Sequence, residues 1–279
     1  MSNDKAISKH YVHGDLLNAI EAALPAIGKT IETITIEDLA PIDEFHIGGR
    51  LATDSLLKQV DFPTNSYVLD VGCGLGGAAR YIAEKYKHRV VGIDLTEEYI
   101  ATGNVLSQWL NLDEAVSLDQ GSALAMPYPK CSFDGGYMLH VGMNIANKTA
   151  LFDEVFNVLK PGTTFAIYDV MRQSEGELSY PVPWASDNKT SYLSTPEQYI
   201  KALEESGFHI LKVINRRDFS INFFKQLRIK SEGKVSPPPL GLHILMQESA
   251  ATKVRNMVEN ISGNLIAPVE IIALKPSQR

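Results

Sequence analysis

The residues whose types and spacing could do chemistry are two aspartates flanking a glycine cluster and a histidine at the end of a later apolar run. In Tyr67-Val68-Leu69-Asp70-Val71-Gly72-Cys73-Gly74-Leu75-Gly76-Gly77, a β-branched run breaks into glycines, and Ala78-Ala79-Arg80-Tyr81-Ile82-Ala83 then follows a helical pattern. This reads as strand, tight turn, helix. Glycine accepts positive φ and lets a ligand lie against bare backbone, while the free N–H groups of the helix start face the same space. Gly72, Gly74 and Gly77 satisfy the G-x-G-x-x-G spacing of nucleotide-binding turns. Asp70 stands at the strand end, where a carboxylate suits a ligand bearing a positive charge, such as an ammonium, rather than a bare diphosphate. Arg89-Val90-Val91-Gly92-Ile93-Asp94-Leu95 reads as a second strand, and its acid is placed to hold a ribose diol. A dinucleotide and a nucleoside with a charged tail both predict that acid. His140, with a reference pKa near ~6.5, has the right chemistry to take a proton from a nucleophile at neutral pH. Its alternative role is to orient backbone beside the ligand.

The elements that must position these groups alternate strand and helix, which predicts a parallel sheet. Strands are expected at Tyr67–Val71, Arg89–Leu95, Ala115–Leu118, Phe133–Leu139, Thr163–Asp169, Phe208–Ile214 and Ile266–Leu274. Helices are expected over Glu97–Leu110, with Thr96 as N-cap, over Lys148–Leu159, and after Thr195-Pro196-Glu197. Ahead of the sheet, Asp15–Leu24 reads as an amphipathic helix, Thr35–Leu39 opens another turn, and Asp43–Arg50 is a polar, glycine-bearing loop. Met171–Pro196 departs from the alternation, and Tyr180-Pro181-Val182-Pro183-Trp184-Ala185 is too proline-rich for a helix. Loops on a rigid scaffold commonly carry specificity, and the indole of Trp184 could face a methylated ammonium by cation–π attraction. Asp218–Glu232 and Leu240–Gly263 are mainly helical. The stripe Phe219, Phe223, Leu227 is assigned to core packing or a dimer contact rather than to chemistry, which leaves room for a homodimer.

The chain has 279 residues, 44% of them hydrophobic, with a formal net charge of −7. No basic stripe marks a nucleic-acid surface, and no apolar run is long enough to span a bilayer. The two cysteines, Cys73 and Cys131, suggest neither a disulfide framework nor a metal site, so a reducing cytoplasm is the expected compartment.

In this setting the glycine-rich segment resembles the first motif of class I S-adenosylmethionine-dependent methyltransferases, and Val91-Gly92-Ile93-Asp94 resembles their second. Met126-Pro127-Tyr128 with Ser132-Phe133-Asp134, and Val158-Leu159-Lys160-Pro161-Gly162, resemble later motifs in the family's order. The resemblance implies a Rossmann-like α/β fold with a seven-stranded, mostly parallel sheet: a helical lid and lead-in helix over residues 1–62, a methyltransferase domain over 63–279, and cap insertions at about 171–196 and 218–262. It implies S-adenosyl-L-methionine as cofactor, S-adenosyl-L-homocysteine as product, a small-molecule acceptor, and no metal. Cofactor contacts are then expected from Gly48, Asp70, Gly72, Gly74, Gly76, Asp94, Leu95, Ser122, Ala123 and Leu139. Ser122 stands where the family commonly has an aspartate that accepts from the adenine amino group; its hydroxyl is expected to accept that bond instead.

The N-terminal segment is expected to cover the cofactor through Tyr11, His46 and Gly48, with His46, Asn144 and Trp184 in the substrate pocket and Tyr11 and His140 as catalytic groups. The chain is also similar to phosphoethanolamine methyltransferases, which pair a lid tyrosine with a histidine after the fourth strand. Gapless alignment places Asn144, not His140, at that histidine. The loop at Phe45–Gly49 and the Tyr180–Ala185 segment look most like the sarcosine and dimethylglycine type, which implies a small amine acceptor. A C- or O-methyltransferase of a secondary metabolite, with apolar residues around the lid, is the alternative. An NAD-dependent oxidoreductase and a non-catalytic binding module are further ones.

Overall fold

The computed structural model describes residues 3–232 and 236–277. Four helices precede the sheet: α1 Asn3–Tyr11, α2 Leu16–Ala23, α3 Ile36–Asp43 and α4 Arg50–Leu57. Helix α3 starts at a capping box, Thr35 Oγ1 accepting from Asp38 N while the Asp38 carboxylate accepts from Thr35 N, so the expected single turn extends to Asp43. The core then runs β1 Tyr67–Val71, α5 Gly77–Tyr86, β2 Arg89–Asp94, α6 Glu97–Trp109, β3 Val116–Gln120, β4 Gly135–Leu139, α7 Lys148–Val158 and β5 Thr164–Arg172. It closes with α8 Pro196–Glu205, β6 His209–Asn215, α9 Arg217–Ser231, α10 Leu242–Met246, α11 Ala250–Ser262 and β7 Ile266–Leu274.

These seven strands form one sheet in the order β3-β2-β1-β4-β5-β7-β6. The first five pair in parallel, and β7 lies antiparallel between β5 and β6. The order reverses direction between β1 and β4, and such a switch point opens a crevice at the carboxyl ends of the strands. Pro268 sits near the start of β7, before the pairing with β6 begins at Val269, so its missing N–H costs no ladder bond on that side.

Apolar side chains of both sheet faces form separate cores. Phe133, Leu151, Phe152, Phe165 and Phe208 gather on one, and Val68, Ala79, Ile82, Tyr137 and Tyr168 on the other. A third cluster joins Leu16, Ile20, Leu39 and Ile42 of the lid to Leu75, Tyr99 and Leu106 of the core, so the N-terminal helices are packed onto the sheet's carboxyl edge. One buried ion pair ties the lid to the glycine turn. Arg80 Nη2, fully buried on α5, donates to Asp43 Oδ2 at 2.7 Å, and its Nη1 donates to Gly103 O at 3.0 Å.

Two local expectations are corrected. Thr96 stands at the N-cap position, but its side chain caps nothing; its N–H donates to Asp94 Oδ1 instead, at 2.8 Å. The expected long helix from Leu240 is broken at Gln247, where φ is 51°, into α10, a single tight turn and α11.

Candidate functional site

The turn after β1 is built as its residue types require. Gly72 and Cys73 donate their N–H groups to Ile93 O at 2.8 and 3.1 Å, which binds the turn to β2. Gly72 has a φ of 71°, and a Cβ there would lie 2.3 Å from Val141 Cγ2, so only glycine fits. Gly74, at a φ of 53°, has no neighbour within 4 Å of an added Cβ, and it faces a cavity of about 1290 Å³. Gly76 stands apart from the other expected cofactor residues. It does not line the cavity; its α-carbon is turned toward Leu118, whose methyl would meet a Cβ at 2.7 Å.

Both aspartates reach the cavity. Asp94 accepts from Gly74 N at 3.0 Å and from Thr96 N at 2.8 Å, so two backbone donors fix its carboxylate at the end of β2. Asp70 is 2% exposed and accepts from Tyr137 Oη at 2.8 Å. Burial pushes its carboxyl up to about 7, against the opposing Tyr137 hydrogen bond, and the charge of Asp94 adds to the rise. A buried acid poised near neutrality is what a cationic ligand group would ionise. Gly48, Leu95, Ser122, Ala123 and Leu139 also line the cavity, so this face brings together nine of the ten expected cofactor residues. Open backbone at Gly74, a fixed carboxylate at Asp94 and a buried anion site at Asp70 suit a nucleoside with a cationic tail.

His140 has a φ of 57° at the end of β4, unusual for a residue with a Cβ. Its N–H and its Nδ1 both lie against Tyr168 O, at 2.7 and 3.1 Å, and its Nε2 accepts from Ile47 N at 3.3 Å. Nδ1 therefore carries the proton and Nε2 is already in use. Burial, with the nearby His46 ring, holds its pKa down at about 3. Tyr168 Oη in turn donates to Ile47 O at 3.0 Å. Both backbone groups of Ile47 are thus gripped from the sheet, and the lid loop is latched there.

His46 is also spoken for. Its Nε2 lies 2.9 Å from Thr53 Oγ1 and 3.1 Å from Gly49 O, and burial lowers its pKa to about 4. Tyr11 Oη donates to Asn144 Oδ1 at 3.2 Å, so the lid tyrosine meets the residue that gapless alignment places at the histidine position. Desolvation raises the Tyr11 phenol far above its ordinary range and keeps it neutral. Asn144 is held in a short 3₁₀ turn by Gly142 N, which donates to Asp169 Oδ2 at 2.7 Å while Tyr199 Oη donates to the same oxygen at 2.6 Å.

Trp184 lines the far side, 2% exposed, its indole N–H donating to Ser191 Oγ at 2.9 Å. Phe223 and Leu227, assigned from sequence to core or dimer packing, line the cavity together with Phe224. The spacing of that stripe showed the apolar face of α9 but not what it would face. Among the described residues the lining contains no lysine or arginine.

A family model described as a methyltransferase domain matches residues 68–162. Over residues 68–162 the chain carries a methyltransferase domain. It is 33% identical over 171 residues to phosphoethanolamine N-methyltransferase of Triticum aestivum, covering 61% of this chain and 33% of that protein. It is 35% identical over 123 residues to sterol 24-C-methyltransferase of Eremothecium gossypii, covering 44% and 33%. The chain spans about a third of the length of the curated relatives it matches. Geranyl diphosphate C-methyltransferase from Streptomyces coelicolor A3(2), solved with S-adenosyl-L-homocysteine, superimposes with a TM-score of 0.71 at 15% identity, over 99% of this chain and 98% of that one. At that identity the likeness shows the fold alone.

Proposed function

We propose that the chain is an S-adenosylmethionine-dependent methyltransferase whose acceptor is an uncharged, largely apolar small molecule. When bound, the cofactor supplies a methyl carbon activated by a positive sulfur. Asp70 would hold the ammonium of its methionine moiety, Asp94 the ribose diol, and the segment from Gly121 to Leu124 the base. Those roles need no metal, only alignment and exclusion of water, and alignment alone is worth several kcal/mol when the reacting atoms are held in line. The latch on Ile47 closes the lid over the sheet edge. Tyr11 and Asn144 supply a neutral hydrogen-bonding pair at the end of the cavity toward Trp184, suited to orient an acceptor hydroxyl or nitrogen.

The observation that carries the acceptor class is the lining. Trp184, Phe223, Phe224, Leu227, Met246 and Met257 wall the cavity, with no lysine or arginine among its described residues. Burying a carboxylate or a phosphate without a partner is expensive. Sarcosine, dimethylglycine and phosphate-bearing acceptors therefore find no counter-charge there. An amine that carries no acid group is the second reading, favoured by the buried indole of Trp184 at the wall.

The test is methyl transfer from radiolabelled S-adenosylmethionine to a panel of sterols, terpenoid alcohols and phenols beside sarcosine, dimethylglycine and phosphoethanolamine. Label extracted into organic solvent from the first group supports the proposal. Turnover confined to the second group refutes it.

A further inference from the structure

Helix α1 lies over the cavity with one face, and the residues of that face fall at successive helical turns. Asp4 stands at the β3 end, where its Oδ2 accepts from Ser122 Oγ at 3.1 Å. Ser8 Oγ donates to Leu95 O at 3.4 Å, one turn on, and Tyr11 reaches Asn144. Asp4, Ile7 and Tyr11 all line the cavity. Spacings of three and four place these side chains on one stripe. One nine-residue helix therefore runs from the end of β3, past the end of β2, to the turn after β4.

Ser122 is only partly available for the part its position suggests, with one of its two lone pairs left open. Its hydroxyl proton is committed to Asp4, and its oxygen already accepts from Leu124 N at 3.3 Å. The stronger acceptor beside it is the carboxylate of Asp4, which takes one bond from Ser122 and has further lone-pair positions open. Asp94 pairs with Gln120 at the end of β3, and the next residues, Gly121, Ser122 and Ala123, line the cavity with Asp4, so a base on a ribose held at Asp94 would have this strand end within reach.

We propose that Asp4, on the N-terminal helix, is the residue that reads the exocyclic amino group of the adenine. The inference rests on the cofactor reading above. An anionic acceptor on the lid does what a fixed carboxylate at the end of β3 would do, with one difference: the base then ties α1 down, and α1 carries Tyr11 to the other end of the cavity. Adenine presents an N–H donor at its six position and hypoxanthine an oxygen acceptor. A carboxylate at that point selects the first and repels the second.

The experiment is calorimetric binding of S-adenosylhomocysteine and of its inosine analogue, S-inosylhomocysteine, to the full chain and to Asp4→Asn. A hydrogen bond to a charged group is worth about tenfold or more in affinity. The parent is expected to favour the adenine ligand by at least that factor. In Asp4→Asn, whose amide can donate to the six-position oxygen, the preference is expected to shrink about tenfold. Asp4 is half-exposed and makes one side-chain bond, to Ser122, so the variant retains the fold. An unchanged ratio of the two affinities in a variant that still binds S-adenosylhomocysteine overturns the assignment. A parent that binds neither ligand overturns the cofactor reading, and the assignment with it.

Discussion

Consider the titration of Asp70. Its carboxyl is held up at about 7 in the free protein, chiefly by burial and then by the Asp94 charge, against the hydrogen bond from Tyr137. At pH 6 about one molecule in eleven would have it ionised, and at pH 8 about nine in ten. An S-adenosylhomocysteine ammonium held at Asp70 would stabilise the ionised form, so binding should lower the pKa and release a proton. The sign follows: affinity rises with pH, by about tenfold between pH 6 and pH 8, while the ligand's own charge is nearly constant. Calorimetry in buffers of different ionisation enthalpy should record nearly one proton released per ligand at pH 6 and about a tenth of one at pH 8. Asp70→Asn should bind more weakly at pH 8 and lose the slope. A parent whose affinity is flat with pH refutes the reasoning, as does an asparagine variant that keeps the same slope.

Other expectations follow from single contacts. Tyr168→Phe removes the donor to Ile47 O, leaving a carbonyl of the lid loop without its partner at a cost of about 1–3 kcal/mol, read as a lower denaturation midpoint together with a raised KM. Arg80→Met strands the buried Asp43 carboxylate and should cost about 3–5 kcal/mol in denaturant unfolding, loosening α3 from the glycine turn. Gly72→Ala forces a Cβ into Val141 at a positive φ, so binding of S-adenosylhomocysteine should be lost with the fold retained by circular dichroism. Because His140 titrates at about 3 with both ring nitrogens engaged, the pH–rate profile from pH 5 to 8 should show no step attributable to it, and His140→Gln should leave the profile's shape unchanged.

Much of the frame was legible because it is written locally. The strand, turn and helix around Gly72, the acid at Asp94 and the cap at Thr195 each follow from a few adjacent residues, and the structure shows Thr195 in a capping box with Gln198. What escaped depends on partners far along the chain. His140 has the chemistry of a base, but the Ile47 N–H that occupies its Nε2 is 93 residues away. Asp4 gives no signal in a short polar helix until the fold brings Ser122 to it, 118 residues on. The stripe on α9 was visible as apolar, yet periodicity cannot tell a wall of the core from a wall of a cavity. Arg80 is legible in its neighbours: a charged residue among Ala78, Ala79, Ile82 and Ala83, all buried, must find a buried anion.

Isothermal titration of the full chain with S-adenosylhomocysteine, with NAD as control, shows whether this cavity binds S-adenosylmethionine. Micromolar binding of S-adenosylhomocysteine with no heat from NAD is the predicted result. Binding of NAD alone would contradict it, leaving the Gly72 turn and Asp94 to a dinucleotide and Asp70 without a role.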